Sequence, residues 1–331
     1  MTDRPKILVT QKVPDPAYPL LEAIGDVEAN TAEGTIWSYE ELLRRGPGHD
    51  YIYSLLTDNI DAHFLEACAA SSPRLKMVAN MAVGYNNIDV EAATRLGIAV
   101  SNTPGVLSDT TGDLAFALLM ATARRIPEAE RFLRAGKYTG WGPLLFCGAE
   151  VHHSTLGLIG AGRIGKIMAQ RASGFEMKVL YYDVYRMKPE DEAAYHMTYM
   201  PMDEVLQMSD FVSVHTPYMP STHHLISERE LKLMKPTAIL INTARGPIVD
   251  EKALVKALQA GTIAGAGLDV FENEPAVEPE LLAMENVVLL PHIASASLQT
   301  RTLMATMASD NIVAHAQGKR PPNIVNPEVL S

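Results

Sequence analysis

Two doubly wound parallel α/β sheets are the fold class this sequence predicts, and three observations carry that prediction. Short apolar runs of strand length alternate with helical patterns along the 331 residues. The alternation lapses in a Gly-rich, irregular stretch at 136–154 and then restarts more strongly. The second series opens on a glycine cluster, Gly160-Ala161-Gly162-Arg163-Ile164-Gly165, placed between an apolar run and a helical segment. Strands separated by helices imply βαβ units, parallel pairing and sheets covered on both faces. The chain length fits two domains at roughly 100–200 residues each.

In the first series, 6–9 (KILV), 51–56 (YIYSLL), 76–79 (KMVA) and 98–101 (IAVS, after the break at Gly97) read as strands. Helical patterns fill 61–70 and 89–96. A long helix is expected from about Ser108 to Arg124, with Ser108 or Asp109 as N-cap and Arg124 and Arg125 at its cation-favouring end. Its apolar residues Leu114, Phe116, Leu118, Leu119 and Met120 cover several faces, which predicts burial at a domain junction or against a second subunit. In the second series, strands are expected at 155–160, 178–182, 211–214, 238–242, 263–268 and 287–290, six in all, enough for a complete dinucleotide-binding sheet. A helical tail at 299–317 and an extended PPNIVNP segment follow.

Composition excludes several classes of function. Lys+Arg 28 against Asp+Glu 39 leaves a net charge of −11 with no dense basic cluster, so nucleic acid is not an expected partner. Two cysteines, Cys68 and Cys147, cannot build a disulfide framework and suit a reducing compartment. The start, MTDRPKILVT, lacks the apolar core of a signal peptide. The longest apolar stretch, Leu114 to Ala123, falls well short of the ~20 residues that span a bilayer. A cytoplasmic protein with no membrane partner is expected.

The glycine cluster carries the first functional expectation. Gly160 permits a tight turn, Gly162 lets the backbone approach a pyrophosphate, and Gly165 lets the helix pack closely. Arg163 and Ile164 open a helix whose free N–H groups suit phosphate. The next strand ends at Asp183, 18 residues past the last glycine, where a carboxylate can hold an adenosine ribose. Polar groups then follow three strand ends: Asn242-Thr243-Ala244-Arg245-Gly246, Asp269-Val270-Phe271-Glu272-Asn273-Glu274-Pro275 and Pro291-His292-Ile293-Ala294-Ser295. Open α/β sheets bind ligands outside those ends.

With these motifs in place, the sequence resembles the D-isomer-specific 2-hydroxyacid dehydrogenase family, most closely its glyoxylate/hydroxypyruvate reductase branch. The resemblance runs through VANMAVGYNNID, TPGVLSDTTGDLAF, LGLIGAGRIGK, VSVHTPYMPSTHHLI, LINTARGPIVDE, GAGLDVFENEP and LPHIASAS, nearly the whole chain. Arg245, Glu274 and His292, spaced by 29 and 18 residues, match that family's catalytic set. The residue types suit the chemistry. A guanidinium fork fits the carboxylate of a 2-oxo acid, an imidazole can protonate the nascent alkoxide, and a neighbouring carboxylate keeps that imidazole charged.

The resemblance further implies substrate contacts at Leu55, Val83 and Gly84, beside Arg245 and His292. It implies cofactor contacts at Thr111, His215, Thr216, Pro217, Thr243, Ala244 and Asp269, and a pocket role for Trp141 across a dimer interface. NAD is the expected cofactor, since Asp183 would repel a 2′-phosphate, although Arg186 could attract one. No metal is expected, because the pairs His152-His153 and His223-His224 have no nearby acidic or Cys ligand set of standard spacing.

The expected organisation is two Rossmann-like domains with a cleft between them: a substrate domain over 1–102, completed by 292–331, and a cofactor domain over 103–291. A homodimer joined through the cofactor domains is expected. Two other activities stay open, a phosphoglycerate-type D-2-hydroxyacid dehydrogenase and a non-catalytic, NADH-sensing protein similar to the C-terminal-binding corepressors.

Overall fold

The computed structural model describes residues 4–330. The chain divides into two compact units, one formed by the residues up to Leu107 and from Ala296 on, the other by Ser108–Ser295. Those divisions fall a few residues past 102 and 291, for local reasons. Thr103 donates its N–H to the Ala82 carbonyl and Leu107 is buried in the smaller unit's core, whereas Asp269 holds the backbone of 293 and 294 to the larger unit.

The smaller unit carries a five-stranded sheet of β1 (Lys6–Val9), β2 (Asp26–Ala29), β3 (Tyr51–Ser54), β4 (Met77–Asn80) and β5 (Ala99–Ser101), in the order β2-β1-β3-β4-β5. Every pairing is parallel. Ile7, Val9, Tyr51, Tyr53, Met77 and Ala79 enter one core, and Leu8, Ile52, Val78 and Val100 enter the other. Successive side chains point to opposite faces and both faces are covered, which is why these strands read as unbroken apolar runs. Helix Leu298–Ala316 covers one face through Met304, Ala305, Ala308 and Ile312. The tail then returns to the sheet edge, where Ile324 bridges Ser101 in antiparallel fashion.

The larger unit carries seven parallel strands, β6 (Thr155–Ile159), β7 (Lys178–Tyr182), β8 (Met197–Tyr199), β9 (Phe211–Val214), β10 (Ile239–Asn242), β11 (Gly265–Leu268) and β12 (Val287–Leu289). Their order is β12-β11-β10-β9-β6-β7-β8. The chain builds outward from β6 to β8, then returns beside β6 with β9 and builds the other way. That reversal is the place where an open α/β sheet binds its ligand.

The structure adds elements that the sequence reading omits. β2 and β8 are edge strands; β2 alternates exposed and half-buried residues and carries Asp26 and Glu28, so it has no apolar run to detect. The larger sheet therefore has seven strands, not six. Helix Ser108–Ala123 starts at Ser108 itself, so Ser108 and Asp109 are helical residues and neither is an N-cap. It ends before Arg124, and Arg125, with φ 53°, breaks the chain into a further helix, Ile126–Arg134.

The broad apolar surface of Ser108–Ala123 is buried at Phe116, Leu118 and Leu119. It packs within its own unit, against helix Arg163–Ser173 and the β10–β12 side of the sheet. Gly112 sits so close to Ile167 that a Cβ there would overlap that side chain. No second subunit is needed to explain this helix. Among the described residues, no helix is long and apolar enough to cross a membrane.

Candidate active site

Functional groups collect at the carboxyl edge of the larger sheet because every strand there runs the same way. The glycine turn follows β6. Gly160 has φ +98°, and a Cβ on it would lie 2.7 Å from the backbone of His215 and Thr216, the residues that follow β9. A Cβ on Gly165 would meet the Gly160 carbonyl. These two glycines are therefore required by the protein's own packing. Gly162 differs, since a Cβ there would meet nothing within 4 Å, and Gly162 and Arg163 are exposed at the start of helix Arg163–Ser173. Open space beside bare helix N–H groups suits a phosphate cradle.

Asp183, just past β7, is tied to that turn: its carboxylate accepts from the Ala161 N–H at 2.8 Å and the Tyr185 N–H at 3.2 Å. Arg186 is occupied elsewhere, paired with Glu192 at 2.8 and 3.0 Å. His215 meets the Ser213 hydroxyl at 2.9 Å through Nε2, and burial pushes it down to about 3, so it is neutral at any working pH. The hydroxyls of Thr216 and Thr243 are buried and have no hydrogen-bond partner among the described residues. Unpaired buried hydroxyls are rare, and two at adjacent strand ends fit a ligand with many polar groups. Thr111 is buried in its helix, Ile164 is half-buried and Pro217 is exposed. Together these residues fit a dinucleotide.

Arg245 follows β10. The preceding turn is closed by Asn242, whose side chain accepts from the Ala244 N–H and donates to the Arg245 carbonyl, both at 3.0 Å. The guanidinium donates to the Ala244 carbonyl at 2.7 Å. Burial lowers its proton affinity, and the Glu274 carboxylate opposes that effect.

His292 and Glu274 are in contact, Nδ1 to Oε2 at 2.8 Å, and the second Glu274 oxygen accepts from the Phe271 N–H at 3.0 Å. Burial works against the Glu274 charge, but the His292 bond and charge, the Phe271 N–H and Arg245 outweigh it and hold the carboxyl below its ordinary value. With Nδ1 occupied, Nε2 is the nitrogen left to meet a reactant.

Asp269 fixes the turn carrying His292. Its carbonyl accepts from the His292 N–H at 2.9 Å, and its two carboxylate oxygens accept from Ile293 and Ala294 at 2.7 Å each. His292 itself adopts φ 53°, a left-handed conformation that costs roughly 1–2 kcal/mol and persists because these bonds hold it. Asp269 sits at the strand end, as its assignment to the cofactor half requires, yet its carboxylate is spent on backbone.

In the smaller unit, Leu55, Val83 and Gly84 lie in loops after β3 and β4. The side-chain amide of Asn102 donates to the Val83 carbonyl at 2.8 Å, and that of Asn80 donates to the Gly84 carbonyl at 3.0 Å. Asn87 donates to the carbonyls of Leu55 and Asp58 at 3.0 and 3.1 Å. The Asp58 carboxyl, pushed up by burial, accepts from the Leu55 N–H at 2.7 Å and the Thr10 hydroxyl at 2.5 Å. Trp141, in the larger unit, is 83% exposed.

These supporting residues escape the sequence reading. Asn80 and Asn87 stand inside the motif VANMAVGYNNID, where they pass for turn formers. His224 departs from the expectation that the His pairs lack acidic neighbours. Its Nε2 meets Glu272 at 2.8 Å and its Nδ1 lies 3.8 Å from Asp250, and ligand atoms of the three fall within 4.8 Å of one another. Asp250 also accepts from Ser227 and caps helix Glu251–Gln259 through the Ala253 N–H, each at 2.9 Å.

Comparison with known proteins bears on the whole chain. Residues 116–294 match the family model described as D-isomer specific 2-hydroxyacid dehydrogenase, NAD binding domain. A glyoxylate reductase of Thermococcus litoralis is 47% identical, over 99% of this chain and 98% of its own. Among solved structures, a glyoxylate reductase from Paecilomyes thermophila superposes with a TM-score of 0.87 at 31% identity, covering 99% of this chain and 100% of its own. An NADPH-dependent glyoxylate/hydroxypyruvate reductase from Sinorhizobium meliloti, in complex with NADP and malonate, gives 0.84 at 35% identity, covering 98% and 97%.

Proposed function

The chain belongs to the D-isomer-specific 2-hydroxyacid dehydrogenase family, oxidoreductases acting on CH–OH donors, and from that premise we propose that it reduces a small 2-oxo acid, glyoxylate or hydroxypyruvate, to the 2-hydroxy acid. The observation that carries the reading is the His292–Glu274 pair at 2.8 Å, on the same sheet edge as the Arg245 turn. Arg245 binds the substrate carboxylate through its planar fork. His292, with Nδ1 held by Glu274, delivers a proton from Nε2 to the carbonyl oxygen as it becomes an alkoxide. Glu274 keeps the imidazole oriented and favours its charged form. Leu55 and the N–H groups of Val83 and Gly84 are assigned to the substrate.

The hydride is the chemistry that a bound reduced dinucleotide supplies. Gly160, Gly162, Arg163, Ile164 and Gly165 would hold its phosphates. Asp183 would hold the ribose and Thr111 would touch the cofactor from its helix, with His215, Thr216 and Pro217 on the adenosine side and Thr243, Ala244 and Asp269 on the nicotinamide side. NAD is the favoured cofactor, because Asp183 faces the ribose position and Arg186 is held by Glu192.

A cytoplasmic location suits the two free cysteines. A homodimer is supported by apolar side chains left exposed over 126–147: Ile126, Leu133, Trp141 and Leu144.

The deciding experiment is loss of absorbance at 340 nm with NADH and glyoxylate, extended to a panel of 2-oxo acids compared by kcat/KM. Turnover with the small acids is expected. Tight NADH binding without turnover of any 2-oxo acid would favour the corepressor-like alternative.

A further inference from the structure

The turns carrying Arg245 and Glu274 come from neighbouring strands, yet their backbones lie directly on one another. A Cβ on Gly246 would overlap the Phe271 carbonyl and approach the Glu272 nitrogen, so only glycine can follow Arg245 here. Phe271, whose carbonyl Gly246 touches, also anchors the acid through its own N–H, which is bonded to Glu274. Any shift of Phe271–Glu272 is therefore passed in one direction to Arg245 and in the other to Glu274 and His292.

Around this contact stands a set of bonds that no step of the proposed chemistry uses. The Glu272 N–H donates to the Glu251 carboxylate, and the Glu251 N–H donates to the Glu272 carboxylate at 3.3 Å. Glu251 is buried, 4% exposed. The other Glu272 oxygen meets His224 Nε2 at 2.8 Å, while the His224 N–H donates to the Pro247 carbonyl at 2.8 Å. Asp250 stands 3.8 Å from the other ring nitrogen. Three loops, after β9, β10 and β11, are thus joined through one side chain.

We infer that Glu272 is a positioning residue: bridged to His224 and locked reciprocally with Glu251, it keeps the Arg245 turn and the Glu274 turn in register. The inference rests on the proposed reduction for its kinetic readout but not for its structural one. Truncation of Glu272 removes the acceptor for the Glu251 N–H and the partner of His224, so the two turns loosen together. The glycine turn after β6 belongs to other strands and is untouched.

The test compares Glu272→Ala, Glu272→Gln, His224→Ala and the double variant His224→Ala/Glu272→Ala, all as the full chain. Glu272→Ala is expected to raise KM for glyoxylate on the order of tenfold, with a smaller fall in kcat and a smaller change in NADH Kd than in KM, because the glycine turn and Asp183 lie outside the two turns. Glu272→Gln should recover most of the loss, because its amide oxygen accepts from Glu251 N–H and its NH2 can face the bare Nε2 of a neutral His224. The double variant should be no worse than Glu272→Ala alone, since both act through one bridge. Hydrogen exchange should rise together in 243–251 and 269–275 and nowhere in 155–175. Wild-type KM for Glu272→Ala, additive losses in the double variant, or faster exchange in only one of the two turns would each overturn the inference. Should the wild-type protein reduce no 2-oxo acid, the functional reading fails, and the paired exchange in Glu272→Ala alone decides the clamp.

Discussion

The loops at the carboxyl ends of the two sheets are held by opposite kinds of chemistry. In the smaller unit the fastening is neutral: Asn80, Asn87 and Asn102 donate side-chain amides to the carbonyls of Gly84, Leu55, Asp58 and Val83. In the larger unit the amide of Asn242 closes the Arg245 turn, but most of the fastening is by acids: Asp183, Glu251, Asp269, Glu272 and Glu274 accept backbone N–H groups with their carboxylates. A carboxylate accepts strongly but carries charge, and an amide can donate without any. Acids suit the edge that holds the Arg245 guanidinium, whose positive charge they offset. Neutral amides suit loops assigned to an anionic substrate, where an added negative charge would repel it. Burial pushes up the Asp58 carboxyl of that region, as it does those of Glu251 and Asp269 in the larger unit.

The largest effect should come from changing the cation that the ionic edge supports. Arg245→Lys keeps the charge and loses the planar fork, so two-point binding of a carboxylate becomes one-point. We expect kcat/KM for glyoxylate to fall by about a hundredfold with NADH affinity little changed, the loss corresponding to ~3 kcal/mol. Steady-state kinetics and fluorescence titration check this, and near-normal kinetics would remove Arg245 from substrate binding.

Next in size is the exchange of one fastening for the other. Asn87→Asp replaces a donor by an acceptor facing the Leu55 and Asp58 carbonyls. Leaving those groups unpaired against a carboxylate should cost about 2–3 kcal/mol at neutral pH. The new carboxyl would have its folded-state pKa raised, so the deficit is small below the ordinary carboxylate range and grows as pH rises through the folded value. Denaturant unfolding at pH 4 and pH 7 measures it; equal deficits at both would mean the amide is not the donor that matters.

The contrast also explains which parts of the molecule can be read from the sequence. Central strands such as β6 and β10 are buried on both faces, so their apolar runs are visible, and the glycine turn is visible because Gly160 and Gly165 answer to local packing. Arg245, Glu274 and His292 are visible as polar residues after strand ends. Edge strands β2 and β8 are not, because nothing obliges them to be apolar. The fastenings are invisible for a different reason. Glu272 meets His224, 48 residues away, because β9, β10 and β11 lie side by side, and Asp269 meets Ile293 and Ala294, more than 20 away, because β12 lies beside β11. Spacing in sequence carries no trace of that adjacency. Helix Ser108–Ala123 misleads in the opposite sense, since an apolar circumference says that a helix is enclosed but not by what.

A smaller effect is expected at Asp183, which fastens the glycine turn and is proposed to hold the ribose. Asp183→Ala frees the Ala161 N–H and removes a negative charge. The ratio of kcat/KM with NADPH to that with NADH should rise on the order of tenfold, by relief of like-charge repulsion. A wild-type preference for NADPH, or an unmoved ratio in the variant, would shift the choice of cofactor away from Asp183.

The smallest effect, and the sharpest test of why the fastenings of the larger unit are ionic, is a shift in a pH profile. On the proposed mechanism, reduction of a 2-oxo acid requires His292 protonated, so the reductase rate should be full at low pH and decline on an alkaline limb; oxidation would require the neutral ring and run the other way. Glu274 is held below its ordinary value and is ionised throughout the neutral range, where its charge favours the protonated imidazole. Glu274→Gln removes that charge while its amide oxygen can still accept from the Phe271 N–H. The alkaline limb should therefore move to lower pH by up to about one unit, which corresponds to ~1.4 kcal/mol of lost charge stabilisation. At a pH well below the limb, the variant should stay within severalfold of wild type, because shape and hydrogen bonding are largely kept. Profiles of kcat/KM with a slow substrate, where chemistry limits the rate, check this. An unmoved limb would mean that the Glu274 carboxylate serves His292 by orientation alone, and that an amide of the kind found in the smaller unit could have stood in its place.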